Sequence, residues 1–405
     1  MSDPLLSCRA RLHRMTTALK ALPLPDAAAS AHSDRLAERL QQEMAESGGV
    51  IAFARFMELA LYAPGLGYYS AGSHKFGAQG DFVTAPEISS LFSRCVAAQV
   101  EQVLEALGGG DILEVGAGSG VMAADILAEL ERRNSLPRRY CILELSADLG
   151  ARQRAMLQQR VPHLMGRVEW FDVLPQAPFQ GVVLANELLD AMPVHRFRVG
   201  SEGVEELYVA RDDRGFRWVA GPFASPEVEE AVADVACRLP EGYESEIGLA
   251  VRRWIHTIGA TLDRGVILLI DYGFPRHEYY HPQRMGGTLM CHYRHRAHPD
   301  PLILPGLQDI TAHVDFTALT EAAMDAGLEL YGYTTQAYFL LGNGLERALS
   351  CPSAGSLAQL ELSRQVRTLT LPEEMGELFK AIAVGKGLDG VPLDGFMLCD
   401  LRGKL

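Results

Sequence analysis

The residues of this chain best suited to chemistry are three closely spaced glycines and an ordered series of carboxylates. Gly116, Gly118 and Gly120 stand in the run DILEVGAGSG, after an apolar stretch and before a helical one. Glycines in such a turn let a ligand come close to the main chain. A G-x-G-x-x-G spacing would seat a pyrophosphate on the helix N-terminus. Here the third glycine comes one residue early and no Lys-Ser/Thr pair follows, which argues against both the dinucleotide fingerprint and the P-loop. Glu114 precedes the first glycine by two positions. Glu144 ends the next apolar run, where an acid can accept both hydroxyls of a ribose. Asp172 ends the third run, placed for an adenine, and Asn186-Glu187 ends the fourth. Glu187 and Asp190 are three residues apart, and such a carboxylate pair can grip a planar cation such as a guanidinium.

These residues need a scaffold that gathers them, and the hydrophobic pattern supplies one. Apolar runs at 112–115, 140–143, in RVEWF, at 182–185 and at 266–271 read as buried strands, with helices at 121–132 and 147–160. Strands alternating with helices predict an α/β fold with a parallel sheet, whose ligands bind at the carboxyl ends of the strands. The glycines and most of the carboxylates fall at those ends. Upstream, residues 1–30 read as a tether and 33–61 as helical, with Ser33 as a cap. The glycine- and aromatic-rich stretch 62–90 reads as a loop that packs on a core or covers a site, and 89–107 as the helix leading into the glycine strand. Downstream, VHRFRV, ELYVA and FRWVA alternate like antiparallel strands. Helices are predicted at about 225–238 and 247–263, an irregular region at 274–313, helix again at 336–370 and a last strand at 379–387. The expected domains are an N-terminal helical region with its glycine-rich loop over 1–95, a core over 96–350 with insertions at about 198–263 and 274–313, and a helix and strand over 351–405 that complete the core.

At 405 residues and 48% hydrophobic, the chain can bury a large core. The net charge is −14, from 37 basic and 51 acidic residues, with no basic run interleaved with aromatics. That argues against DNA as a partner, since phosphate binding draws on Lys and Arg. Seven scattered cysteines without a C-x-x-C pair predict a reducing, cytoplasmic setting and no zinc site. His292, His295 and His298 sit in CHYRHRAHPD without a cysteine pair, so no metal site is expected there either. No apolar run reaches the length of a membrane span, and the N-terminal stretch has no signal-peptide core.

The E-x-G-x-G-x-G form resembles motif I of the class I S-adenosylmethionine (SAM) methyltransferases. Five further runs extend the likeness: GLGYYS (65–70), FGAQGDFVTAPEIS (76–89), LANELLDAMPVHRF (184–197), LLIDYG (268–273) and DITAHVDFT (309–317). Over about 60–340 the chain resembles the MidA/NDUFAF7-like (DUF185) methyltransferase family. The resemblance implies a Rossmann-like class I SAM-dependent methyltransferase core with an elaborated N-terminal region and insertions, and SAM as cofactor. The family's mitochondrial members are protein arginine N-methyltransferases that form symmetric dimethylarginine on a subunit of respiratory complex I during its assembly. The implied partner is therefore a protein with an exposed arginine, with a homodimer left open.

On that reading Glu114, Gly116, Gly118, Gly120, Glu144, Asp172 and Asn186 bind the cofactor. Gly80, Asp81 and Thr84 lie over its methionine end, with Phe82 or Tyr69 as a lid. An arginine guanidinium is charged and delocalised, hence a poor nucleophile, and carboxylates can fix its plane and stabilise its charge. Glu187 and Asp190 are the expected clamp, sharing a face if a helix starts there. His313 is the expected general base or orienter, with Asp309 and Asp315 completing the pocket. Asp315 before FTAL also reads as a helix N-cap. Established arginine methyltransferases use a double-glutamate loop whose spacing is absent here. Asn186-Glu-Leu-Leu departs from the Asn/Asp-Pro-Pro-aromatic run of base amino-methylases. The alternatives are a SAM-dependent small-molecule or RNA methyltransferase, and a SAM-binding assembly factor without essential catalysis.

Overall fold

Continuous apolar runs bounded by glycine and serine turns become the strands and helices of an α/β core. The computed structural model describes residues 22–71, 83–175, 178–349, 356–388 and 390–405. The core unit comprises Val83–Asp190, Ala250–Tyr279 and His313–Leu405. Its first long helix, α1 (Ser90–Leu107), starts where the Ser89 hydroxyl accepts from the Leu91 amide and stops at Gly108 in the left-handed conformation. It leads into β1 (Asp111–Val115), α2 (Val121–Arg132), β2 (Tyr140–Leu143), α3 (Ala147–Arg160), β3 (Val168–Phe171), β4 (Phe179–Asn186) and β5 (Leu262–Phe274). Helix α4 (Phe316–Asp325), β6 (Glu329–Thr335) and β7 (Phe379–Lys386) complete it.

Across the sheet the order is β3-β2-β1-β4-β5-β7-β6, with the short strand Val314–Asp315 added to the end of β5. Strands β1 to β5 run parallel, and β7 is antiparallel to both β5 and β6. The chain order reverses between β1 and β4: one leads outward to β2 and β3, the other to β5. A reversal of this kind leaves a crevice outside the carboxyl ends of the strands. The glycine turn leaves β1 there, and Asn186-Glu187 leaves β4 there. One face of the sheet contributes Ile112, Val182, Leu184, Val266, Leu268 and Ile270 to a core shared with Leu91, Phe92, Val96 and Val100 of α1. Strands covered on both faces need near-continuous apolar runs, which is why β5 reads VILLI.

The second unit gathers the described residues of Met1–Phe82, with Ala191–Leu249 and Tyr280–Ala312. The N-terminal region and the segments expected as separate insertions thus fold together. Strands Val50–Ala52, Val204–Asp212, His195–Val199 and Glu244–Ile247 form a sheet in that order, with Gly215–Gly221 paired to Val204–Asp212. Its core is built by Leu36, Leu40, Ile51, Phe53, Phe56, Met57 and Val209.

Three expectations change here. The first described helix is Ala27–Glu46, and its cap is Asp26, which accepts from the Ala29 amide. Ser33 lies inside it, facing inward, and donates to the Pro305 carbonyl at 2.9 Å. Val50–Ala52 is a strand and the next helix starts at Phe53, because Val50, Ile51 and Ala52 pair with Ala210, Val209 and Tyr208. The stretch expected as irregular holds a three-stranded sheet made of Met290–Tyr293, Arg296–His298 and Asp309–Thr311. Strands this short leave little alternation to read. No helix among the described residues is long and apolar enough to cross a membrane.

Candidate functional site

The turn after β1 is shaped by its glycines. Gly116, Gly118 and Gly120 take φ of +71°, +53° and +84°, and Gly120 forms the N-cap of α2. A Cβ on Gly118 would meet nothing within 4 Å, whereas a Cβ on Gly120 would lie 3.0 Å from the Cα of Gln153. The first faces open space and the second lets α3 seat against the turn. Beside them Ser119 Oγ donates to Glu87, from the short helix Ala85–Ile88.

The carboxylates of β1 and β2 differ in setting. Glu114 is buried within β1 and accepts from the Tyr140 hydroxyl at 2.7 Å. Burial pushes it up to about 7; the Tyr140 hydrogen bond opposes the shift and the charge of Glu144 adds to it. Glu144 leaves β2 at the ligand edge. Its Oε1 accepts from the Ser146 amide at 2.8 Å and its Oε2 from Gln153 Nε2 at 2.9 Å. Burial raises it above the usual carboxylate range. Asp172 follows β3 and is exposed.

Beyond β4 the chain turns, and no helix starts at Glu187, so the condition under which it would share a helical face with Asp190 is not met. Glu187 takes φ +51°, a region a side-chain-bearing residue seldom occupies and one that often marks functional sites. The Leu189 and Asp190 amides donate to Oδ2 of Asp271, at 2.8 and 3.3 Å, in place of helical bonds. Asp271 Oδ1 accepts from the Tyr272 amide at 2.8 Å. Glu187 Oε1 accepts from the Ala85 amide and from Asn186 Nδ2, both at 3.0 Å. Burial pushes Glu187 up to about 8, with Asp190 adding to the shift. Burial holds Asp271 well above the carboxylate range, reinforced by Asp190 and Glu187. Three acids from the ends of β4 and β5 are therefore close enough to resist ionising together, which is a setting that welcomes a cation. Among the described residues nothing donates to the buried Asn186 Oδ1.

The remaining expected residues divide. His313 stacks on Phe274, with centroids 5.2 Å apart, and meets the edge of Tyr272 at 5.0 Å. Asp315 caps α4 by accepting from the Ala318 amide and faces Arg276. Asp309 belongs to the second unit, where the Tyr69 hydroxyl donates to it at 2.9 Å. Thr84 precedes the Ala85–Ile88 helix, and its hydroxyl makes no capping bond. Gly80, Asp81 and Phe82 lie outside the described residues. Within the hairpin Met290–Tyr293 and Arg296–His298, His298 is buried opposite Cys291. Among the described residues no group of three His, Cys, Asp or Glu could hold a metal ion.

Asp271, Gln153 and Glu87 were not singled out from sequence. Asp271 had a signal, an acid at the end of the apolar run LLIDYG. Glu87 had none, because its partner Ser119 is 32 residues away.

Residues 95–334 match the family model described as "Putative S-adenosyl-L-methionine-dependent methyltransferase". A crystal structure from Burkholderia thailandensis bound to S-adenosyl-homocysteine (SAH) is similar with a TM-score of 0.91 and 46% identity, covering 95% of this chain and 100% of that one. The mouse (Mus musculus) relative, named "Protein arginine methyltransferase NDUFAF7, mitochondrial", is 29% identical over 84% of this chain and 82% of its own. The Drosophila melanogaster relative, named "Protein arginine methyltransferase NDUFAF7 homolog, mitochondrial", is 28% identical over 92% of this chain and 91% of its own. The family match spans more than half of the chain, and the likeness to the SAH-bound structure spans nearly all of it, so the chain belongs to this family and is a SAM-dependent methyltransferase.

Proposed function

We propose that the protein is a protein arginine N-methyltransferase that forms symmetric dimethylarginine on a protein partner such as a respiratory complex I subunit. The observation that carries this reading is the acid cluster Glu187, Asp190 and Asp271 at the carboxyl ends of β4 and β5. The printed names of the curated relatives support it.

The residues at the β1–β4 crevice fit SAM. Gly118 opens onto space, Glu144 presents a carboxylate for ribose hydroxyls, and Asn186 Oδ1 is a buried acceptor without a donor among the described residues. Leu145 and Val173, directly after Glu144 and Asp172, are 81% and 70% exposed and are suited to flank an adenine ring. Bound SAM supplies an electrophilic sulfonium methyl. Glu187 and Asp190 hold the acceptor guanidinium by its N–H groups, fix its plane and stabilise its charge through transfer. Methylation forms an N–C bond at a guanidino nitrogen as the methyl–sulfur bond breaks and its electron pair stays on sulfur, so SAH is the leaving group and the nitrogen gives up one proton. Burial raises Glu187 to about 8 in the ligand-free chain; the guanidinium bound beside it favours the ionised form, which then receives that proton.

The test is incubation with isotopically labelled SAM and cell lysate, followed by mass-spectrometric location of the label. Label on the side-chain nitrogens of a protein arginine supports the reading. Label found only on RNA or a metabolite contradicts it.

A further inference from the structure

Along α3 the inward stripe consists of Leu149, Gly150, Gln153 and Leu157. Packing alone would favour leucine at the middle position of such a stripe. Instead it holds a glutamine that is 0% exposed. Its Nε2 donates to the Gly118 carbonyl at 3.1 Å and to Glu144 Oε2 at 2.9 Å. Its Oε1 accepts from Trp170 Nε1 at 3.1 Å. Both amide hydrogens and the oxygen are engaged, and reversing the amide would turn its oxygen toward two acceptors. The same residue's Cα lies where a Cβ on Gly120 would press, at 3.0 Å. Trp170 is pinned in turn by the Arg154 guanidinium, 4.2 Å from its ring centroid. One side chain thus ties the turn after β1 to the acid after β2 and to β3.

We propose that Gln153 is a positioning residue for the cofactor, holding the Glu144 carboxylate and the Gly118 turn in the geometry that receives it. The proposal rests on the reading of Glu144 as the ribose acceptor. A carboxylate at the end of a strand has free rotation about its own side-chain bonds. The Ser146 amide fixes one oxygen of Glu144, and Gln153 fixes the other. With both held, the outward lone pairs are aimed before the ligand arrives, which lowers the ordering entropy of binding.

The experiment is SAH calorimetry on the full chain as wild type, Glu144→Ala, Gln153→Met and the double variant, with ligand-free melting to confirm folding. Gln153→Met should weaken SAH about tenfold, the equivalent of one well-placed buried hydrogen bond. Glu144→Ala should cost clearly less affinity in the Gln153→Met background than in wild type, because an unaimed carboxylate has less to lose. A merely structural glutamine would shift the melting temperature and leave the two losses additive. Unchanged affinity in folded Gln153→Met, or additivity, overturns the proposal. Glu144→Ala binding SAH as tightly as wild type removes the ribose reading, and a loss in Gln153→Met then upholds only the arm through Gly118. If Gln153→Met does not fold, Trp170→Phe removes the indole N–H that donates to Gln153 Oε1. A severalfold loss of SAH affinity there supports the proposal, and none overturns it.

Discussion

Glu144 and Glu187 show how differently two strand-end carboxylates are employed. Glu144 is braced on both oxygens by groups of the fold, whereas Glu187 is strained in backbone, raised by burial and close to two further acids. Glu144→Ala should lose one or two charge-assisted hydrogen bonds to the ribose, on the order of 1.5–3 kcal/mol each. Calorimetry should then read at least about a tenfold weaker SAH. A variant binding SAH as wild type does would put Glu144 outside the site. Asp271→Asn tests the neighbouring contact: with its oxygen kept on the Leu189 and Asp190 amides, the new side chain turns its nitrogen toward the Tyr272 amide and loses that acceptor bond, so methyl transfer should fall more than SAH affinity. Both strand-end acids were legible in the sequence because they stand directly after apolar runs. Gln153 was not, since its three partners come from the turn after β1, the end of β2 and β3, and only their meeting gives it meaning.

Helices and strands confer a second kind of constraint. Gly118 and Gly120 sit two residues apart, yet their substitutions should fail in different ways. Gly118→Val puts a branched side chain at φ +53° into open space at the ligand edge, so SAH binding should vanish while unfolding stays cooperative. Gly120→Ala drives a Cβ to 3.0 Å from the backbone of α3, also at positive φ. It should lower stability by about 1–3 kcal/mol in chemical denaturation. Both variants carry the strain of a positive φ, so the division is read in the ligand: SAH binding retained in a folded Gly118→Val would contradict it. At this scale the core was well legible: the parallel strands are long apolar runs, and β7 was expected at 379–387 and spans Phe379–Lys386. The segment Val50–Ala52 was not, because its apolar spacing also fits a helix and only pairing with Val204–Asp212 decides the matter.

For the whole molecule, the buried acids set the pH response. Burial raises Glu114 to about 7, Glu187 to about 8 and Asp271 well above the carboxylate range. Between about 4.5 and 8 the unfolded chain has released protons that the native chain keeps, so these groups make stability fall as pH rises. Glu129, held at about 2 by Arg132, Arg133 and Arg94 against the opposing effect of burial, acts oppositely, contributing stability that is lost as pH falls below the ordinary carboxylate value. Ligand-free protein should therefore melt at higher temperature near pH 6 than near pH 8, and Glu187→Gln should flatten that slope. A melting temperature that rises over this interval in wild type would contradict the assignment. The gathering of the N-terminal region with two later segments into one unit was invisible in the sequence, because the strand pairing that ties the N-terminal region in, Val50–Ala52 with Val204–Asp212, joins residues more than 150 positions apart.

The central claim is that one edge of the sheet holds SAM at the β1–β4 crevice and an arginine at the acids that follow β4. The measurement that bears on it most directly is Glu187→Gln assayed twice, for SAH affinity by calorimetry and for single-turnover methyl transfer to an arginine-containing protein acceptor. The account predicts SAH affinity close to wild type and transfer slower by orders of magnitude, because the lost carboxylate orients and deprotonates the acceptor in the transition state. Full transfer by Glu187→Gln, or SAH affinity lost in step with transfer, would contradict it.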